Sequence, residues 1–151
     1  MVNKILNAIT KQLGTTFGNS YRYYMENVEQ NLTKPCFTTD VLIPLQRSRG
    51  LNSYDRTMPI VVHYFSDSKT DIKKDCYAMA EQIIECLEYL PFENTLIRGE
   101  DISWEIVDDV LQVFITYKFM TKKVVVNEDT MDELQEVVGH SKLIMNGMII
   151  C

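Results

Sequence analysis

The chain is poor in the residues that chemistry in a protein most often needs. Only two histidines, His63 and His140, occur among 151 residues, and no Cys-x-x-Cys or His-x-x-x-His spacing accompanies them, so no zinc centre is expected. Six glycines never approach a Gly-x-Gly-x-x-Gly or Walker A pattern, which leaves nucleotide binding without its loop. No nucleophile elbow is present. Basic residues are in deficit: the formal net charge of -6 argues against a general grip on nucleic acid, where Lys and Arg must neutralise phosphates, and against an anionic membrane surface. Long apolar runs are missing too. The opening stretch Met1-Val2-Asn3-Lys4-Ile5-Leu6 is broken by polar residues, so neither a signal peptide nor a membrane span is expected there. Four cysteines (Cys36, Cys76, Cys86, Cys151) are too scattered for a disulfide framework. Cys76 and Cys86 fall on one expected helix, roughly 15 Å apart at about 1.5 Å per residue. Reduced thiols in a cytoplasm fit best. No catalytic, cofactor-binding or metal-ligating residue is assigned.

The chain does have apolar residues enough to fold, at 46%, and an ordinary 24% of charged ones. Val2, Ile5, Leu6, Ile9, Leu13 and Phe17 recur at helical spacing, with Gly14 and Gly18 marking where that helix frays and stops. Tyr21 to Glu26 reads as a short strand. Cys36 to Ile43 alternates, with Phe37, Thr39, Val41 and Ile43 on one face, and Pro44 closes it. Gln46 to Asp55 is polar and reads as a long mobile loop. Met58 to Phe65 is the next strand, where Pro59 demands an edge or a first position. Ser66, Asp67, Ser68 and Thr70 offer caps for a helix carrying Ile72, Cys76, Met79, Ile83, Leu87 and Leu90, ended by Pro91. Ile102 to Val107 and Val110 to Met120 flank Asp108-Asp109 as a hairpin. Met131, Leu134, Val137 and Val138 suit a short helix with Gly139 as its stop. Asn146-Gly147 between two apolar triplets predicts a closing hairpin.

The expected fold class is therefore α+β. An antiparallel sheet of about five strands carries the N-terminal and central helices on one face, plus a C-terminal β-hairpin. Residues 1–139 form one domain, and 140–151 an apolar hairpin or arm that must pack on its own domain or on a neighbour.

Several clusters bear on function. His63, between Val61 and Phe65, is expected to be a hydrogen-bonded structural residue. Glu100-Asp101 and Asp108-Asp109 could hold Mg²⁺, but a strand of about six residues, roughly 20 Å, separates them. Turn chemistry and solubility explain them better. Tyr21, Tyr23 and Tyr24 are expected to pack in a strand rather than stack on bases. Asn31-Leu32-Thr33 matches a glycosylation sequon with nothing else to suggest secretion. The segment from Gln46 to Arg56 stands out, because Arg47, Arg49 and Arg56 concentrate positive charge in an acidic chain. It reads either as a solvated loop or as a cationic finger for an acidic neighbouring subunit. With it, the interface candidates are Leu143, Ile144, Met145, Met148, Ile149 and Ile150.

Ordered short motifs give a resemblance. Tyr24-Met25-Glu26-Asn27-Val28-Glu29-Gln30-Asn31-Leu32 and Lys34-Pro35-Cys36-Phe37 come first, then Arg56 with Pro59, His63-Tyr64-Phe65 and Leu87-Glu88-Tyr89. Arg98-Gly99 and Trp104-Glu105-Ile106-Val107-Asp108-Asp109-Val110-Leu111 with Phe114 complete the series. Over roughly residues 1 to 120 the chain resembles a family of phage tail terminators. These occur in tailed phages, prophages and phage-tail-like bacteriocins of Gram-positive bacteria. The family pattern favours glycine where this chain has Asn31 and Asp109, the residue types that best tolerate positive φ. The segment from Leu143 onward matches nothing in the family.

The resemblance implies a structural subunit, not an enzyme. It would assemble in a host cytoplasm as a ring, usually sixfold, on the end of a tail tube, stopping tube growth and facing the head-side connector. In contractile systems it would also touch the sheath. Another head–tail joining or tail-completion protein is the alternative, and a small Mg²⁺-dependent enzyme using Glu100, Asp101 or Asp108 is a third.

Overall fold

The computed structural model describes residues 1–25, 33–125, 133–139, 144–145 and 148–149, with the backbone alone from residue 124 onward. Helix α1, Val2–Phe17, follows the expected spacing and buries Ile5, Leu6, Ile9 and Leu13. It stops at Gly18, whose φ of 81° a side chain would resist. Strands β1 (Arg22–Met25), β2 (Cys36–Val41), β3 (Leu45–Ser48) and β4 (Ser53–Phe65) precede helix α2 (Ile72–Leu87). Then come β5 (Tyr89–Phe92), β6 (Thr95–Val107), β7 (Val110–Val125), β8 (Glu133–Gly139) and the short β9 (Ile144–Met145) and β10 (Met148–Ile149).

Eight strands form one sheet, three more than expected, in the order β1-β2-β4-β7-β6-β5, with β3 added to β4 and β8 to β7. It is antiparallel except at one edge, where β1 runs parallel to β2. Both helices pack on one face. There Met58, Ile60, Val62 and Tyr64 of β4 meet Leu111, Val113, Ile115, Tyr117 and Phe119 of β7 beneath the buried stripes of α1 and α2. Each fully buried side chain of this size removes about 1.5–3 kcal/mol worth of apolar surface from water, so this single core dominates stability.

Several expectations change. The helical stripe does not reach Leu90: α2 ends at Leu87, and Leu90 and Phe92 are the buried residues of β5. Pro91 is the cause, because its ring bars the residue before it from helical geometry. The helix begins after Asp71, whose side chain makes no cap; Ser66 instead donates its hydroxyl to Asp75. The segment expected as a helix around Met131 to Val138 contains β8, which pairs with β7 from Phe119↔Gly139 to Val125↔Glu133. Its Val137-Val138 pair favours a strand once β7 presents an open edge. The closing hairpin forms, with Met145↔Met148 and Ile144↔Ile149 paired as a separate two-stranded sheet.

The two long strands β4 and β7 run past the helices. Near the helices β4 pairs with β2, from Phe65↔Cys36 to Ile60↔Val41; beyond Pro59 it pairs with β3, from Thr57↔Leu45 to Tyr54↔Ser48. Pro59 falls in the gap, and its carbonyl accepts from the Leu42 amide at 2.8 Å. The proline nitrogen, which has no proton to give, thus faces the break between two partner strands, meeting the positional demand without a sheet edge. β7 does the same on its other side, pairing with β6 up to Tyr117 and with β8 from Phe119. The outcome is a lobe, β3-β4-β7-β8, that extends the sheet.

Candidate assembly interface

The segment from Gln46 to Asp55, expected as a mobile loop, is mostly ladder: β3 and the start of β4 are a hairpin. Positive φ at Gly50 (76°) and Asn52 (65°) turns the chain, the Arg49 amide donates to the Ser53 carbonyl at 2.8 Å, and the Lys123 amide donates to the Asn52 carbonyl at 2.7 Å. The tip is therefore tied to β7.

The three arginines divide. Arg56 lies on β4 and donates through Nε to the Thr121 hydroxyl at 3.1 Å; burial draws its pKa below the ordinary value. Arg49 pairs with Asp55 at 3.4 Å. Arg47 lies across the ladder from Asp55, exposed, with no ion pair among the described residues. The expected finger is a hairpin held by backbone bonds, with Arg47 exposed on it.

Sequence reading missed the apolar half of this lobe. Ile43, expected on one strand face with Phe37, Thr39 and Val41, lies beyond the end of β2 and is 86% exposed; Leu51 at the hairpin tip is 93% exposed. Leu42 and Leu45 are also exposed. All four sit on or beside the edge strand β3. The signal was in the sequence, as isolated leucines in a polar stretch, but alternation had placed Ile43 in a strand and polarity had placed Leu51 in a loop.

A second exposed patch lies on the helix-bearing face. Tyr77 of α2 and Trp104 of β6 meet edge-on, centroids 5.5 Å apart, and both remain exposed, at 52% and 37%. One turn along α2 from Tyr77 is Glu81, and one further is Glu85. Both are exposed and neither has an ion pair among the described residues.

Other candidates resolve differently. Ile144, Met145, Met148 and Ile149 lie in the paired backbone of β9 and β10, while Leu143 and Ile150 fall outside the described residues. Glu100 and Asp101 share Lys118 at 3.7 Å each, beside a register shift between Glu100 and Ser103; Asp101 has φ 52°. Asp108 (φ 51°) and Asp109 (φ 61°) form the turn between β6 and β7, at the far end of β6. Among the described residues no three His, Cys, Asp or Glu side chains converge as a metal site requires. His63 does not match its expected bonding: Nδ1 is buried without a hydrogen-bond partner among the described residues, and burial lowers its pKa, opposed by Asp40. Tyr21 and Tyr23 pack as expected, against Phe37, and the Tyr23 hydroxyl donates to the Gly18 carbonyl at 2.7 Å.

Several of the described residues that carried the family resemblance hold this fold together. Tyr64 donates to Asp75 at 2.8 Å, where the carboxylate also receives Ser66. The Leu87 carbonyl accepts from the buried Tyr117 hydroxyl at 2.6 Å. Gly99 gives its amide to the Glu88 carbonyl at 2.7 Å, with Ile115 packed so close that no Cβ fits. No described helix is long and apolar enough to cross a membrane.

The described residues thus form a helix-backed sheet with a projecting lobe and exposed apolar side chains on it. Residues 4–131 match the family model described as phage tail terminator protein, and the chain belongs to that family. It is thereby a structural protein of a phage tail. Among curated proteins none matches. A solved structure is similar at 11% identity, covering 83% of this chain and 97% of that one, with a TM-score of 0.42.

Proposed function

We propose that the chain is a ring-forming tail terminator. Copies assemble head-to-tail on the end of a tail tube, most simply as six, stopping tube growth and presenting a surface to the head-side connector, with the sheath as a further neighbour in a contractile tail. The family match over residues 4–131 carries this reading. The β3–β4 lobe supports it: Arg47, Ile43 and Leu51 stand exposed on a hairpin that backbone bonds hold in place. A heterologous contact joins two different surfaces of one chain, and closes into a ring when the rotation permits. The arm at residues 140–151 is a second contact, with its own subunit's neighbour or with the tube.

Particles assembled without this chain should show overlong or ragged tails in electron micrographs, and the purified chain should capture tube protein. Tubes of normal length and finish in its absence would overturn the reading. Deleting residues 142–151 should weaken self-association or tube capping while thermal unfolding stays cooperative; global unfolding of the truncated chain would place the arm in the core.

A further inference from the structure

The lobe and the α2 patch differ in composition in a complementary way. Around β3 the exposed surface is aliphatic and cationic: Ile43, Leu51 and Arg47, which has no ion pair among the described residues. On α2 and β6 it is aromatic, Tyr77 with Trp104. Lys73 and Lys74 lie one turn before Tyr77, and toward the helix's C-terminus it turns anionic with Glu81 and Glu85, neither ion-paired among the described residues.

The acidic half of this match sits badly in an isolated subunit. Glu81 and Glu85 are four residues apart, so like charges face each other on one side of the helix. Both lie in the C-terminal half of α2, where the helix dipole disfavours anions, and the last turn holds no basic residue. A cation supplied from outside relieves both penalties. Exposed Trp and Tyr are also the residue types that most often anchor interfaces, as Arg is on the other side.

We propose that the occupant of this patch is the β3–β4 hairpin of a second copy of the chain, with Arg47 meeting Glu81 and Leu51 packing on the Tyr77–Trp104 pair. This rests on the ring reading and names its contact. The surfaces are different regions of one subunit, so each copy offers one of each and the contact propagates beyond a dimer.

Charge reversal tests it. Arg47→Glu and Glu81→Arg should each lower the association constant, measured by sedimentation of the full chain, by about tenfold or more, and the double reversal should recover most of the loss. Independently, a chain carrying Leu51→Cys with Glu81→Cys should form covalent ladders longer than a dimer on mild oxidation, with neither single replacement doing so. Native circular dichroism checks each variant's fold, and the cysteine pair keeps the test open should a reversal unfold the chain. If the unaltered chain forms rings while reversals and cysteines leave mass and cross-linking unchanged, the contact is wrong and the ring stands. A chain that stays monomeric at all concentrations, also when mixed with its tube protein, overturns both.

Discussion

Gly99 shows how one side chain can be excluded by geometry alone. A Cβ there would lie 2.6 Å from the Ile115 Cγ1 and closer still to Cδ1, beneath a strand whose amide is committed to Glu88. Gly99→Ala should cost about 1–3 kcal/mol, read from the denaturant midpoint, because Ile115 must leave its position in a packed core. Tyr117→Phe removes the donor to a buried carbonyl and should cost a similar 1–3 kcal/mol. At Asp109 the sign reverses. Its φ of 61° is tolerated rather than preferred, so Asp109→Gly should be neutral or stabilising by up to about 1 kcal/mol, and Asp109→Val clearly destabilising. At this scale the sequence was legible where a residue answers to its own backbone, as at Gly18 and Asp109. It was silent where the answer depends on a distant neighbour, as for the His63 nitrogen that finds no partner among the described residues.

Among the elements, α1 and most of α2 followed from periodicity, because an amphipathic stripe needs only a core to face. The strands were harder. β5 was hidden behind a helical stripe, and β8 behind a pattern that fits a short helix equally well; the open flank of β7 chose between the alternatives, and no local propensity encodes that flank. The α2 patch makes a prediction of its own. Glu85→Lys removes a like-charge neighbour of Glu81 and places a cation near the helix end, so the isolated domain should gain about 0.5 kcal/mol in chemical denaturation. Self-association should fall in the same variant, a trade of stability against assembly.

For the whole molecule, buried titratable groups set a pH window. Burial first, with Asp75 adding to it for Tyr64, raises the pKa of Cys36, Cys76, Cys86, Tyr64 and Tyr117. Above about pH 8.5 for thiols and 10 for phenols the unfolded chain loses protons that the folded chain keeps, so stability falls as pH rises. His63 acts oppositely: its lowered pKa lets the unfolded chain bind a proton below about pH 6.5 that the fold resists, so stability falls as pH falls. Denaturant midpoints should therefore peak between these limits. His63→Gln should flatten the acid side, and a curve with no acid limb in the unaltered chain would contradict the burial of this histidine's Nδ1.

By itself the sequence determined the α+β class, the two helices, the Asp108-Asp109 turn and membership in a tail family. Those depend on spacing, on backbone preference and on short motifs whose residues, such as Tyr64 and Gly99, make contacts that hold this core. Only the tertiary structure decided that β4 and β7 outrun their helices, that Pro59 sits where two partner strands part, and that Ile43 and Leu51 are left bare beside Arg47. Exposure is the remainder after every long-range pairing has been made, so it belongs to no single residue and leaves no period in the sequence.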